Sequence, residues 1–143
     1  MAVAAILKQK GHDVVTASGT VSVSNVAHIL SERRIGALVI LDDRGEIAGI
    51  VSERDIVNAL AQRGPAVLDE PASRIMVTDV VTCAPEDTVV FLMEIMTERR
   101  IRHLPVLGPN GLDGIVSIGD VVKHHIAEVE MEASALRTYL LAR

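Results

Sequence analysis

The chain has 143 residues, enough for one compact domain or two small ones sharing a core. Hydrophobic residues make up 49% of it, yet Phe91 and Tyr139 are its only aromatics, so Val, Ile, Leu, Ala and Met must build the interior. A net charge of −5 with both signs scattered argues against a nucleic-acid binder, and the single cysteine, Cys83, excludes an intrachain disulfide and a multi-cysteine zinc site.

In chain order, the N-terminus Met1 to Lys8 is apolar with no charged region ahead of it, and reads as a first helix rather than a signal peptide. Asp13 to Thr16 is a short β-branched strand. Ser24-Asn25 supplies helix-start chemistry, and Val26, Ile29 and Leu30 follow at helical spacing. Strands Ala37 to Leu41 and Ile47 to Val51 flank the turn Asp42-Asp43-Arg44-Gly45, and a helix begins near Ser52. Gly64, Pro65 and Pro71 mark a linker. The series then returns: a strand over Asp79 to Thr82, a helix start at Pro85-Glu86-Asp87-Thr88, and a helix carrying Leu92, Ile95 and Met96. Strands Leu104 to Leu107 and Leu112 to Val116 follow about Gly108-Pro109-Asn110-Gly111, then a helix from near Ser117 and an extra C-terminal helix. The longest nearly apolar run, Gly36 to Leu41, is too short to span a bilayer; no membrane association is expected, and the cytoplasm is the expected compartment.

The return is a sequence repeat. Asp13-Val14-Val15-Thr16 recurs as Asp79-Val80-Val81-Thr82, and Glu32-Arg33-Arg34-Ile35 as Glu98-Arg99-Arg100-Ile101, both 66 positions on. Gly49-Ile50-Val51-Ser52-Glu53-Arg54-Asp55 recurs as Gly114-Ile115-Val116-Ser117-Ile118-Gly119-Asp120, 65 positions on. Two copies are too few for a solenoid and suggest a pseudo-two-fold pair. The expected division is 1–63 (N-terminal helix and first repeat), 64–75 (linker), 76–127 (second repeat) and 128–143 (C-terminal helix).

The pattern over roughly residues 10–127 resembles the tandem CBS-domain pair, or Bateman module, of stand-alone bacterial type. Its most specific element is Gly-hydrophobic-hydrophobic-Ser/Thr-x-x-Asp, intact in both copies. The resemblance implies an α+β fold of two pseudo-symmetric β-α-β-β-α repeats packed sheet to sheet, with ligand clefts between them and dimerisation through helices. The motif also has a physical logic. Gly49 and Gly114 suit strands that another backbone or a ligand approaches closely. Ser52 and Ser117 sit where a strand turns into a helix, so hydroxyl and amides can meet a phosphate. Asp55 and Asp120 lie one helical turn on, where a carboxylate can accept both ribose hydroxyl protons.

By the same resemblance, adenine lies against Val15-Thr16-Ala17 in one copy and Val81-Thr82-Cys83 in the other. Arg102 and His103 occupy positions that hold the phosphate of a nucleotide whose ribose is held by the other repeat; their first-copy equivalents are Gly36 and Ala37. The pair is therefore expected to be asymmetric. The Asp55 site gains Arg102, His103 and Arg54, whereas the Asp120 site has Gly119 where Arg54 stands and is expected to be empty or to take a neutral adenosine compound.

Structural readings stand beside these. Asp55, Asp120, Ser52 and Ser117 can serve as helix caps, and Arg33-Arg34 and Arg99-Arg100 as solvated helix ends. Cys83 reads as a small buried or pocket-lining residue; Met93, Met96 and Met131 as core or interface filler. His124 and His125 are adjacent and so point to different sides of a helix, a poor chelating pair, and no metal site is expected. Neither motif serine has a base placed to activate it, and there is no phosphate-binding loop, so no catalytic residue and no catalytic cofactor is expected. The resulting expectation is a non-catalytic sensor of an adenine nucleotide or adenosine-containing cofactor, AMP, NAD or ATP favoured, acting as a homodimer on a separate regulated protein. The rival is an interaction adaptor with vestigial clefts.

Overall fold

In the computed structural model, which describes residues 1–142, five α-helices and five strands form a mixed α+β fold. They run α1 Val3–Lys10, β1 Thr16–Ser18, α2 Val23–Arg33, β2 Ala37–Leu41, β3 Ile47–Ser52, α3 Glu53–Arg63, α4 Val89–Arg99, β4 His103–Gly108, β5 Gly111–Ser117 and α5 Ile118–Leu141. Two 3-10 turns, Pro65–Asp69 and Ala72–Arg74, lie between α3 and α4.

The chain forms two units: Asp13–Val81, and Thr82–Arg143 together with Met1–His12. In the first, β1 pairs parallel with β2, which pairs antiparallel with β3. Helix α2 buries Val23, Val26 and Leu30 against Leu38, Ile40, Val51 and Ile56. Each such aliphatic side chain contributes about 1.5–3 kcal/mol on leaving water. The segment expected as a linker packs as part of this unit. Val67 and Ala72 are buried, Ala72 N–H donates to the Val21 carbonyl (2.7 Å), and the Glu70 carbonyl accepts from Val23 N–H at the start of α2 (2.9 Å).

The other unit repeats the arrangement. Helix α4 buries Val89, Leu92 and Met96, the counterparts of Val23, Val26 and Leu30, and β4 pairs antiparallel with β5. Both hairpins carry a register shift at the same place, Ile40/Leu41 and Val106/Leu107. Helix α1 joins this unit rather than the first repeat beside it in sequence. Its first amides have no side-chain cap; Val3 N–H and Ala4 N–H donate to the carbonyls of Asp87 and Pro85 (2.8 and 2.9 Å). In return the Met1 carbonyl accepts from Val89 N–H at the start of α4 (3.0 Å). Val3, Ile6 and Leu7, one face of α1, are buried.

Three sequence expectations shift. The strand expected at Asp13 to Thr16 forms at Thr16–Ser18. Its counterpart at Asp79 to Thr82 is reduced to one bridge, Cys83 with Val106, because the Asp87 carboxylate takes Ala84 N–H (2.8 Å) and Pro85 has no amide to extend a ladder. The separate C-terminal helix is instead the second half of α5, which runs 24 residues without a break because no Gly or Pro interrupts it after Gly119. Arg34 and Arg100 end α2 and α4 in the left-handed region (φ 54° and 55°), so the paired arginines are helix ends as expected.

Candidate functional site

In the first unit the motif serine and aspartate form a reciprocal helix cap. Asp55 N–H donates to Ser52 Oγ (3.3 Å), while Asp55 Oδ2 accepts from Ser52 N–H (2.8 Å) and from the Ser52 hydroxyl (2.9 Å). Both hydrogen bonds that Asp55 accepts from Ser52 fall on Oδ2, so Oδ1 takes no part in the cap. Ala37 is the register partner of Ser52, and the Gly36 carbonyl accepts from Glu53 N–H (3.0 Å), so both lie at the start of α3. Val15, Thr16 and Ala17 reach the same sheet through β2: Val39 N–H donates to the Val15 carbonyl, and Thr16 and Ala17 pair with Val39 and Ile40. Arg54 is exposed on the first turn of α3.

The other unit builds the same cap at α5. Asp120 N–H donates to Ser117 Oγ (3.2 Å) and Asp120 Oδ2 accepts from Ser117 N–H (2.9 Å). His103 is the register partner of Ser117, and the Arg102 carbonyl accepts from Ile118 N–H (2.8 Å), so this pair stands where Gly36 and Ala37 stand in the first unit. Cys83 bonds to β4 on both sides, its N–H donating to the Pro105 carbonyl (3.0 Å) and its carbonyl accepting from Leu107 N–H (2.8 Å), with Thr82 beside it. Arg102 is exposed, and His103 and Thr82 are half-buried. The named residues thus divide between the units: Val15, Thr16, Ala17, Gly36, Ala37, Ser52, Arg54 and Asp55 in one, Thr82, Cys83, Arg102, His103, Ser117 and Asp120 in the other.

The local signal in Gly-x-x-Ser-x-x-Asp identified both caps. It could not identify what α1 adds. Lys10 Nζ donates to Asp120 Oδ2 (2.5 Å) and to the Ile115 carbonyl (2.9 Å). His12 Nδ1 lies 3.0 Å from the Asp113 carbonyl. Buried His124 donates from Nδ1 to the Asp120 carbonyl (2.9 Å), and its Nε2 lies 2.8 Å from the Gln9 side-chain amide. Burial pushes the Asp120 carboxyl up, but the Lys10 and Ser117 hydrogen bonds outweigh it and hold the group below its ordinary value.

Burial, with the Asp87 charge adding to it, pushes the Cys83 thiol up to about 12, so it is a neutral buried thiol and a weak nucleophile. Among the described residues no group of three metal-ligating side chains converges, and no helix is long and apolar enough to cross a membrane. A groove of about 480 Å³ runs between α4 and α5, lined by Val90, Met93, Glu94, Thr97, Glu98 and His125, none of them a predicted ligand residue.

The family described as CBS domain matches this chain twice, at residues 6–62 and 72–126. The crystal structure of the CBS-domain containing protein ATU1752 from Agrobacterium tumefaciens superposes with a TM-score of 0.85 at 45% identity, covering 87% of this chain and 99% of that one. The CBS domain protein PAE2072 from Pyrobaculum aerophilum, complexed with AMP, gives 0.74 at 32% identity over 84% and 89%. The CBS domain pair of protein MJ0100, in complex with 5′-methylthioadenosine and S-adenosyl-L-methionine, gives 0.78 at 27% identity over 90% and 98%. The chain spans only 56%, 62% and 32% of the length of three curated relatives that it matches.

Proposed function

The chain belongs to the CBS-domain family, and we propose that it is a non-catalytic regulatory module that binds an adenine nucleotide or adenosine-containing cofactor and relays its occupancy to a separate protein. The observation that carries this reading is the state of Asp55. Its Oδ2 is fixed by the Ser52 amide, which orients the carboxylate, while Oδ1 takes no part in the cap and the Ser52 hydroxyl can turn away. An oriented carboxylate with acceptor capacity to spare suits the adjacent hydroxyls of a ribose. Solved relatives with AMP, or with 5′-methylthioadenosine and S-adenosylmethionine, support an adenosyl ligand. Within that class AMP, NAD and ATP are the favoured candidates. In this reading Arg102, His103 and Arg54 contact phosphate, and Val15, Thr16, Ala17, Thr82 and Cys83 contact adenine. Gly36 and Ala37 stand at the positions equivalent to Arg102 and His103. The module acts as a cytoplasmic homodimer, and ligand binding shifts its population between two arrangements that a partner distinguishes.

A thermal-shift and calorimetry panel of AMP, ADP, ATP, NAD, NADH and S-adenosylmethionine on wild type and Asp55→Ala tests the proposal. At least one ligand is expected to raise the melting temperature by mass action, with the affinity falling tenfold or more in Asp55→Ala, roughly the loss of two charge-assisted hydrogen bonds. If none shifts the wild type, the reading gives way to the adaptor.

A further inference from the structure

The two motif carboxylates, Asp55 and Asp120, are capped alike but partnered differently. Asp55 Oδ2 takes its second hydrogen bond from the Ser52 hydroxyl, a neutral rotor, whereas Asp120 Oδ2 takes it from the Lys10 ammonium. The repeat explains the difference. Lys10-Gly11-His12-Asp13 aligns with Met76-Val77-Thr78-Asp79, so the position that carries the cation in one segment carries a thioether in the other. The carbonyls beneath are served in parallel: Ile50 accepts from the Val77 amide (2.9 Å), and its counterpart Ile115 accepts from Lys10 Nζ (2.9 Å). Around Lys10, the N-terminal segment is fastened by Gln9 to His124 and by His12 to Asp113. The ammonium therefore has a fixed seat on Asp120.

We propose that Lys10 is a specificity-determining residue that makes the two sites unequal, by occupying Asp120 and lowering its affinity for a ribose diol. The proposal rests on the nucleotide-binding reading above. A neutral nucleoside approaching Asp120 must displace a charge-assisted hydrogen bond or accept a carboxylate already neutralised by its partner; at Asp55 it need only turn a hydroxyl aside. The ligand consequently fills Asp55 first and Asp120 at higher concentration. The pair is partly exposed, with Lys10 and Asp120 side chains 36% and 25% accessible, so the effect is modest.

The test is calorimetry with adenosine, which has the diol and no phosphate that Lys10 could attract. In the Asp55→Ala background, Lys10→Met, which copies the residue of the other segment, is expected to tighten adenosine binding about fivefold. Raising the salt concentration is expected to tighten binding in Asp55→Ala but not in Asp55→Ala/Lys10→Met, a comparison that reads the same ion pair with Lys10 still present. Lys10→Ala serves if the methionine variant fails a thermal-unfolding check. Unchanged or weaker adenosine binding on removing Lys10, or two equal sites in wild type, overturns the proposal and leaves the nucleotide reading standing. Absence of binding by wild type to adenosine and to every nucleotide of the panel overturns both.

Discussion

Gly49 and Gly114 occupy the same motif position, yet the structure gives the missing side chain a different reason in each. A Cβ on Gly49 would meet Met76 Sδ at 2.6 Å and the Val77 carbonyl oxygen at 2.9 Å. That carbonyl cannot yield easily, because Val77 and Ile50 exchange both backbone hydrogen bonds (3.0 and 2.9 Å). The three atoms nearest a Cβ on Gly114 all belong to Leu7, Cδ2 (2.6 Å), Cδ1 (3.2 Å) and Cγ (3.4 Å), and a leucine side chain can rotate and settle. Gly49→Ala is therefore expected to destabilise by about 2–3 kcal/mol and Gly114→Ala by about 1 kcal/mol, within the range for overpacked sites. Urea unfolding of the two variants checks the order; an equal or larger loss at Gly114 would show that Leu7 has nowhere to go. The sequence marked both glycines as points of close approach, but the approaching groups come from segments 27 and 107 positions away and leave no local trace.

At the scale of the element, α5 is two things in one helix. Its first half is anchored by the Ser117–Asp120 cap, by buried Val121 and His124, and by the Met1 ammonium on Glu128 (3.0 Å). From Val129 to Ala142 every residue is exposed. A helical stretch of this length without tertiary burial is marginal in water, so amides beyond about residue 130 are expected to exchange far faster than those of 119–127. Ending the chain after Glu130 is expected to move the melting temperature by only a few degrees, since no buried residue is removed. Slow exchange throughout α5, or a large loss on truncation, would mean that something covers the far half in solution. Most elements were legible beforehand. Strand Ala37 to Leu41 was read at its observed limits, and the starts of α3 and α5 at Ser52 and Ser117 follow from capping chemistry that is local. What escaped was tertiary: the expected linker turned out to be packed, α1 docks by backbone hydrogen bonds to residues 85–87, and Lys10 finds Asp120 across 110 positions. Periodicity and propensity are blind to such pairings.

On the scale of the whole molecule, α4 and α5 leave an apolar face to solvent. Val90, Phe91, Ile118, Val122, Ile126 and Val129 are each between 39% and 52% exposed, and they belong to two helices of one unit that flank a groove. Among the groove's lining residues, His125 has its Nδ1 buried with no hydrogen-bond partner among the described residues, the condition of a group that a second surface or a water completes. Scattered apolar residues need no explanation, but a run of six on adjacent helices, one of them the only phenylalanine in the chain, has the composition of an interface core. The proposed homodimer, if it forms through this face, would cover the large aliphatic side chains that this 49% hydrophobic chain exposes. Sedimentation equilibrium is expected to give a dimer at micromolar concentration. Ile126→Glu places an unpaired charge in the face and is expected to weaken the dimer about thirtyfold or more, whereas Glu46→Gln, in the β2–β3 turn, leaves it unchanged. Because a two-fold interface uses the same patch on both copies, each substitution acts twice, so the shift for Ile126→Glu should exceed that of any single contact. A wild type that sediments as a monomer would remove the homodimer from the proposal and assign the α4–α5 face to the regulated partner instead.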